Sequence, residues 1–216
     1  MLHCIEDNEA WVLGVVCGYL TYSHEVHNEK FYRFMLRSDR LSDNADFICV
    51  TISEKTLTEI SIDIGKRLKI KGQFRSYNNY SGSGNKLVLT LFAKDVTLAE
   101  EDEEPANEIY LNGYICKPVV YRVTPFGREI ADILLAVNRA YNKSDYIPCI
   151  AWGRNARFVK HLEVGQNIKI WGRMQSREYQ KKISDTEAIT KTAYEVSINR
   201  LEMGDSAHTD ANSTYA

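Results

Sequence analysis

Aromatic and basic residues alternate through the second half of the chain in a pattern that suits contact with unpaired bases and phosphates. Flat rings can stack on successive bases whatever their identity, while cations follow the phosphates. The four rings are Tyr141, Tyr146, Trp152 and Tyr179. The cations near them in sequence are Arg128, Arg139, Arg154, Arg157, Arg173, Arg177, Lys181 and Lys182. Tyrosine and tryptophan also fill the interiors of small β-proteins, so composition alone leaves both interpretations open.

Catalytic and metal-binding patterns are missing from the sequence. No GxxxxGK[ST], HExxH or GxSxG motif occurs. The five histidines form no ligand cluster, and the five cysteines lack CxxC spacing. Cys17 and Cys116 lie in apolar stretches, where we expect buried free thiols in a reducing cytoplasm. We therefore expect no catalysis, no metal and no cofactor.

The two halves of the chain repeat one another in a nearly fixed register. Gly14 returns as Gly113 at an offset of 99, and Gly72 returns as Gly172 at an offset of 100. Such a register over about seventy positions indicates the duplication of one compact folding unit. Whatever the unit does is done twice, or is done once and altered in the second copy.

The elements that must position these residues are mainly β-strands. In the second half, β-branched and aromatic residues predict strands over 109–120, 129–138, 146–152, 167–179 and 192–201, with a helix over 155–162. The first half repeats this with strands over 11–20, 31–36, 47–53, 67–77 and 86–96, and a short segment over 56–60. We predict an all-β protein with one short helix per domain, built as two tandem five-stranded OB-fold barrels.

Charge divides the chain more clearly than its net value of −2 suggests. Residues 1–99, a divergent OB-fold domain, balance 12 basic against 12 acidic side chains. Residues 107–204, the second OB-fold domain, carry the basic surplus. The acidic run in residues 100–106 predicts a solvated linker, and residues 205–216 read as a disordered tail. No apolar run is long enough for a membrane span, so we expect no membrane contact.

Five segments give the second half a specific family resemblance. They are NEIYLNG at 107–113, YRVTPFG at 121–127, LAVNR at 135–139, CIAWG at 149–153 and WGRMQSR at 171–177. Together they resemble the bacterial single-stranded-DNA-binding protein family over nearly the whole second domain. The resemblance implies an OB fold that wraps single-stranded DNA without catalysis or strong sequence preference. It also places the stacking positions of the family on Tyr141, Tyr146, Trp152 and Tyr179.

The resemblance carries further expectations about assembly and setting. The family works with four barrels, which implies a homodimer of this two-barrel chain. It also implies a cytoplasmic, nucleoid-associated protein in DNA replication, recombination or repair, with replication or repair proteins as possible partners. The C-terminus departs from the family, because it lacks an acidic tip ending in a hydrophobic residue. Recruitment of partners by that device is therefore not expected.

The first half matches the binding pattern less well. The constant offset places Ser42 opposite Tyr141 and Ser53 opposite Trp152. Its candidate DNA contacts are Phe47, Arg75, Tyr77 and Tyr80. We expect this half to bind DNA more weakly than the second, or to serve mainly in assembly.

Two alternatives to single-stranded DNA binding remain open on the sequence. One is a protein-interaction adaptor that uses OB barrels as scaffolds in a replication or conjugation complex. The other is the binding of single-stranded RNA, because stacking faces do not distinguish the two sugars.

Overall fold

The structure, a computed structural model, describes residues 7–40, 42–78, 87–182 and 188–204. Within these ranges each half contributes six strands and one short helix. The first half contains β1 (Asn8–Val16), β2 (Thr21–Val26), β3 (Glu29–Asp39), β4 (Ala45–Ser53), α1 (Glu54–Leu57), β5 (Arg67–Asn78) and β6 (Leu87–Leu98). The second contains β7 (Asn107–Ile115), β8 (Val120–Val123), β9 (Glu129–Arg139), β10 (Lys143–Trp152), α2 (Arg154–Val159), β11 (Asn167–Lys182) and β12 (Ala188–Met203).

Five strands of each half close into a barrel. In the first half β1 pairs with β3, β3 with β4, β4 with β6, β6 with β5, and β5 with β1. The β4–β6 pairing is parallel and the others are antiparallel. The second half repeats this order with β7, β9, β10, β12 and β11. The predicted pair of five-stranded OB barrels is confirmed.

The sixth strand of each half lies outside the barrel and was not predicted. The sequence suggested continuous first strands over 11–20 and 109–120, but β1 ends at Val16 and β7 ends at Ile115. The short strands β2 and β8 follow, and each forms a hairpin with the next strand. Pro118 lies in the second break, where its missing N–H cannot join a ladder. The predicted boundaries of the first strands were therefore wrong.

Aliphatic side chains fill the barrel interiors. Along β5, the side chains of Leu68, Ile70 and Phe74 are buried and alternate with more exposed neighbours. The largest fully buried side chains of the described chain are leucine and isoleucine, among them Leu135 and Ile147 of the second barrel. Because the interior is occupied in this way, the four predicted rings of the second half are left on the outside.

Two repeated glycines mark the places where each barrel bends. The strand register shifts between Lys71 and Gly72 and again between Trp171 and Gly172. A Cβ atom at Gly72 would lie 2.2 Å from the carbonyl oxygen of Phe92, and one at Gly172 equally close to that of Ser197. The close approach of two strands at a β-bulge thus requires glycine in both halves.

The two halves join through an antiparallel pairing of β1 with β7. Ala10 pairs with Ile109, its own counterpart at the repeat offset of 99. A strand pair centred on equivalent residues has a local twofold relationship, as an isologous dimer contact has. The strands of the chain therefore form one continuous series from β2 to β8.

Two asparagines at equivalent positions hold β5 and β11 in place. The Asn8 side chain donates to the carbonyl of Phe74 at 2.7 Å and accepts from the Phe74 N–H at 2.9 Å. Asn107 makes the same pair of contacts with Met174, at 2.7 and 2.9 Å. Each amide satisfies one backbone donor and one backbone acceptor of a neighbouring strand.

The acidic segment that connects the halves is anchored to the first barrel. The Arg67 guanidinium donates to the carbonyls of Glu100, Glu101 and Glu103. Lys69 Nζ lies 2.8 Å from Glu103 Oε1, and this contact holds the pKa of the Glu103 carboxyl below its usual range. Most of the acidic side chains remain exposed, as the sequence suggested, but the backbone that carries them is fixed.

The environment of the cysteines differs from the expectation. Cys17 is exposed and Cys116 is half-buried, so the prediction of buried thiols at this repeat position was wrong. Each lies just past the end of the first strand of its own barrel, β1 or β7, outside the closed core. In the described part of the chain no helix is long and apolar enough to cross a membrane.

Candidate nucleic-acid interface

Tyr146 and Trp152 lie on the outer face of β10. Side chains of a strand alternate between its two faces, and here Ile147 and Ala151 point into the barrel while the two rings point out. Tyr146 is 48% exposed and Trp152 is 40% exposed. Their positions six residues apart on one face present two accessible rings along a single strand.

The remaining two predicted rings are also accessible. Tyr141 is 94% exposed in the turn between β9 and β10, where its φ is 62°. Tyr179 lies on β11, and the Arg177 guanidinium is 6.0 Å from the centre of its ring. All four rings are therefore open to solvent, which is the condition that base stacking requires.

Trp152 borders a cavity that draws on both halves of the chain. The Trp152 cavity has a volume of about 370 Å³, and Arg173, Ser176, Arg177 and Arg40 are among its lining residues. Arg173 and Arg177 are predicted residues of the second half, and Ser176 lies between them on β11 without having been predicted. Arg40 comes from the first half, and sequence reasoning missed it. The sequence repeat could have identified it, because the offset of 99 makes Arg40 the counterpart of the predicted Arg139.

Arg173 is engaged with a buried carboxylate. Its Nη1 atom lies 2.8 Å from Oδ2 of Asp46, whose side chain is 1% exposed, and Arg40 Nε donates to the same oxygen at 2.9 Å. Burial lowers the pKa of the Arg173 guanidinium, and Asp46 acts in the opposite sense. Because Asp46 already balances the charge of Arg173, any phosphate contact by this guanidinium competes with the ion pair. The predicted phosphate contact thus has a structural role in the fold.

Arg139, the counterpart of Arg40, makes the corresponding contact in the second half. Its Nη1 atom lies 3.4 Å from Oδ1 of Asp145, which is 2% exposed and also accepts from the Ser76 N–H at 2.8 Å. The Ser76 hydroxyl in turn accepts from the Tyr146 N–H at 2.7 Å. Tyr146, a ring of the second half, therefore lies against β5 of the first half.

The other predicted cations fall into three groups. Arg157 forms an ion pair with Glu129. The Tyr121 hydroxyl hydrogen bond to Glu129, together with Arg157, holds the pKa of that carboxyl below its usual range. Arg128 and Arg154 are exposed, in the β8–β9 turn and at the start of α2. The side chains of Lys181 and Lys182 lie outside the described residues, although their backbone continues β11.

The candidate residues of the first half are only partly brought together. Phe47 is 45% exposed, and its N–H donates to the Ser176 hydroxyl of the second half at 3.0 Å. Arg75 and Tyr77 are half-buried neighbours on one face of β5. Tyr80 lies outside the described residues.

Comparison with known proteins agrees with this geometry. Residues 106–204 match the single-strand binding protein family. Single-stranded DNA-binding protein A of Bacillus subtilis is 32% identical over 103 residues, which are 44% of this chain and 59% of that protein. Single-stranded DNA-binding protein 1 of Streptococcus pyogenes is 32% identical over 96 residues, 41% of this chain and 74% of that protein. The chain belongs to the single-strand binding protein family, and it spans 56% to 59% of the length of three Bacillus relatives.

The structural likeness extends over both halves. The wild-type single-stranded DNA binding protein from Thermus aquaticus matches with a TM-score of 0.75 and 16% sequence identity, over 95% of this chain and 96% of that chain. A deletion variant of that protein matches with a TM-score of 0.77, also at 16% identity, over 95% of this chain and 98% of that one. At this identity the likeness concerns the fold, which includes the first half that the family match leaves out.

Proposed function

We propose that the chain binds single-stranded DNA without catalysis and largely independently of base sequence, in DNA replication, recombination or repair. The observation that carries this proposal is the exposure of four rings on one barrel, with Trp152 at the edge of a cavity rich in arginine. Rings of this kind stack on any base, and cationic grooves follow the phosphates. The names of the relatives in Bacillus and Streptococcus support the same activity.

The direct test is titration of the full chain with a fluorescently labelled dT oligomer at moderate salt, followed by anisotropy. We expect tight binding of dT and much weaker binding of a duplex of equal length, because stacked bases in a duplex cannot lie on the rings. Equal binding of duplex and single strand would overturn the proposal. Absence of binding to either would favour the protein-interaction adaptor.

The RNA alternative is tested by competition between dT and rU strands of equal length. RNA is told apart from DNA through contacts to the 2′-hydroxyl. The exposed rings supply stacking faces that do not depend on this group. We propose DNA as the substrate on the strength of the relatives, and preferential displacement by rU would contradict that choice.

The proposed assembly is a homodimer that brings four barrels together. Three aromatic residues cluster around the β1–β7 junction, Trp11, Tyr110 and Trp171, and the Tyr110 and Trp171 rings lie 5.1 Å apart. Trp11 is 38% exposed at the rim of this cluster. A face centred on a local twofold suits contact with a second copy. Light scattering should give twice the chain mass, and a monomeric mass would exclude the homodimer.

The remaining parts of the proposal concern organisation and setting. We propose that residues 1–99 and 107–204 are the two domains, that 100–106 connect them and that 205–216 are a tail. We also propose a cytoplasmic, nucleoid-associated protein with replication or repair proteins as partners. The Arg67 and Lys69 contacts of the connecting segment support its assignment to the surface of the first domain.

A further inference from the structure

The first half contains a cavity that the comparison with the second half did not predict. The Phe92 cavity has a volume of about 400 Å³, within the range of small-ligand sites. Its lining includes His24, Arg33, Arg75, Tyr77 and Phe92, together with Arg139 from the second half. It is related to the Trp152 cavity by the internal repeat, because each is completed by an arginine of the opposite half, Arg139 or Arg40.

Flat groups form a continuous series beside this cavity. The Arg75 guanidinium lies 3.8 Å from the centre of the Phe92 ring. The Phe31 ring lies 5.7 Å from Phe92, and the His24 ring is stacked on Phe31 at 5.0 Å with an interplanar angle of 13°. Bases stack both on aromatic rings and on guanidinium planes. The surface therefore offers several stacking faces within the span of a few nucleotides.

The polar atoms of the cavity are suited to an anionic, hydrogen-bonding ligand. Arg33, Arg75 and Arg139 line it, and the lining residues include no carboxylate, although Arg139 is also paired with the buried Asp145 behind it. Arg33 Nε and the Tyr77 hydroxyl are buried without a well-formed hydrogen bond in the described part of the chain; burial raises the pKa of Tyr77, and the nearby Arg33 acts in the opposite sense. Buried polar atoms without partners cost free energy, which a base edge or a phosphate oxygen in the cavity would recover. The Arg33 guanidinium also lies 5.0 Å from the centre of the Tyr77 ring.

The aromatic ring that lines the cavity lies on a different strand in each half. Phe92 pairs with Gln73 on β5, and Ser197 occupies the same register opposite Arg173 on β11. Conversely, Ser53 stands at the position of Trp152. The second half thus carries its ring on β10 and a serine on β12. The first half carries a serine on β4 and its ring on β6.

Local structure explains why β4 has a serine where β10 has Trp152. Ser53 is the N-cap of α1, and its hydroxyl accepts from the Thr56 N–H at 3.3 Å. Serine is favoured at an N-cap and tryptophan is not. In the second half the cap falls one residue later, on Gly153, which leaves Trp152 free to remain a ring. The loss of a ring at Ser53 is therefore no sign that the first half has lost its binding surface.

We propose that the Phe92 cavity is a second stacking site, which binds a base and an adjacent phosphate of the same single strand that occupies the second half. This inference rests on the proposed binding of single-stranded DNA. A continuous path between the sites is available, because Tyr146 is hydrogen-bonded through its N–H to Ser76, the residue between Arg75 and Tyr77. The first half is then a binding domain in its own right, in place of the weak or assembly domain expected from sequence.

The test compares two full-length variants of this site, Phe92→Leu and Arg33→Gln, with Trp152→Leu and the wild type. Each OB fold occupies roughly 4–16 nucleotides, so a dT oligomer of about 8 residues fills one half and one of about 30 residues can reach both. We expect Phe92→Leu to weaken binding of the long oligomer by about 5- to 150-fold, the stacking contribution of one base. Binding of the short oligomer through the second half should change by no more than about twofold.

Two further measurements separate a binding effect from a folding defect. Phe92 is half-buried, so thermal unfolding of each variant is recorded, and Arg33→Gln tests the same cavity without altering a ring. Ultraviolet crosslinking of the wild type to an iodouracil-substituted long oligomer should label a peptide that contains Phe92 or Tyr77. Wild-type affinity for the long oligomer in both variants, with no crosslink in β5 or β6, would overturn the second site alone. Failure of the wild type to bind dT would overturn the proposed function and this inference together.

Discussion

Arg173 of the second barrel forms an ion pair with Asp46 of the first, with 2.8 Å between Nη1 and Oδ2. The carboxylate is 1% exposed, and it also accepts from the Ser176 N–H at 3.3 Å. Asp145 plays the corresponding part for the other barrel through the Ser76 N–H. Each barrel thus inserts a buried carboxylate against a strand of the other, and the two outer faces are held in one fixed relation.

Removal of the Asp46 carboxylate should weaken this junction strongly. Asp46→Ala leaves two guanidinium groups, Arg40 and Arg173, half-buried without their shared counter-charge, which should cost about 3 kcal/mol of unfolding free energy. The measurement is urea denaturation followed by tryptophan fluorescence. The control is Asp132→Ala, which removes a 40%-exposed carboxylate paired with Arg122 and should cost less than about 1 kcal/mol. Equal losses in the two variants would show that the Asp46 contact does not stabilise the junction.

The asparagine contacts to β5 and β11 predict a pair of isosteric substitutions. Asn8→Asp replaces the amide that donates to the Phe74 carbonyl with an acceptor, so two acceptors face one another in a buried position. We expect a loss of about 1–3 kcal/mol or more in the free energy of unfolding. Asn107→Asp makes the same change opposite Met174 at a less buried position, and its loss should be smaller. The two variants are compared by thermal and urea unfolding, and the reverse order would contradict the burial argument.

Much of the fold was accessible from the sequence because local patterns specify it. Alternating apolar residues fixed the barrel strands from β9 to β12 within a few residues, and the repeat transferred that interpretation to the first half. The break in each first strand was missed: no strong pattern marks residues 17–20, and Pro118, which marks the break in the second half, was included in a continuous strand. The exposure of Cys17 has the same origin, because it lies just past a strand end that the sequence placed later.

The site was only partly predictable, for a different reason. Ring exposure on β10 follows from strand alternation, which sequence shows directly. The engagement of Arg173 by Asp46 depends on how one barrel lies against the other, and no local pattern encodes that relation. The ring at Phe92 was missed because the constant offset directed attention to Ser53. A repeat identifies equivalent positions, but a function that moves to a neighbouring strand is lost in such a comparison.

Truncation of the two β10 rings should reduce DNA binding with little effect on the fold. Trp152→Ala combined with Tyr146→Ala should weaken binding to a dT oligomer by about 3 kcal/mol, if each ring stacks one base. The Tyr146 hydrogen bond to Ser76 uses its backbone N–H, so the double variant retains it. Phe47→Ala, the equivalent change in the first half, should have a much smaller effect. Circular dichroism verifies the fold, and unchanged affinity in the folded double variant would refute the stacking assignment.

Binding should weaken as salt rises, because cations that neutralise phosphates release bound counterions. If the chain neutralises about four phosphates, affinity for dT should fall roughly fifty-fold between 50 and 200 mM salt, from a slope of about 0.7 per contact on single strands. Arg154→Gln removes an exposed cation at the start of α2 and should reduce the slope. Arg173 is paired with Asp46 and should therefore contribute little to the salt slope. A flat salt response in the wild type would count against a basic groove.

The titration of His24 tests whether a phosphate enters the Phe92 cavity. Burial and the nearby Arg33 lower the pKa of His24, so in the folded protein the ring is protonated only below the ordinary histidine value of about 6.5. Between the pKa of His24 in the folded protein and about 6.5, this residue binds more protons in the unfolded chain. The contribution of His24 to stability is therefore lost as the pH falls from about 6.5 through the folded value. A phosphate beside Arg33 would offset its positive charge, so a bound dT oligomer of about 30 residues should raise the pKa of His24. The imidazole resonance, assigned with a His24→Gln variant, reports this by NMR. A pKa that stays unchanged while the Trp152 resonances show binding would place the phosphate outside the cavity.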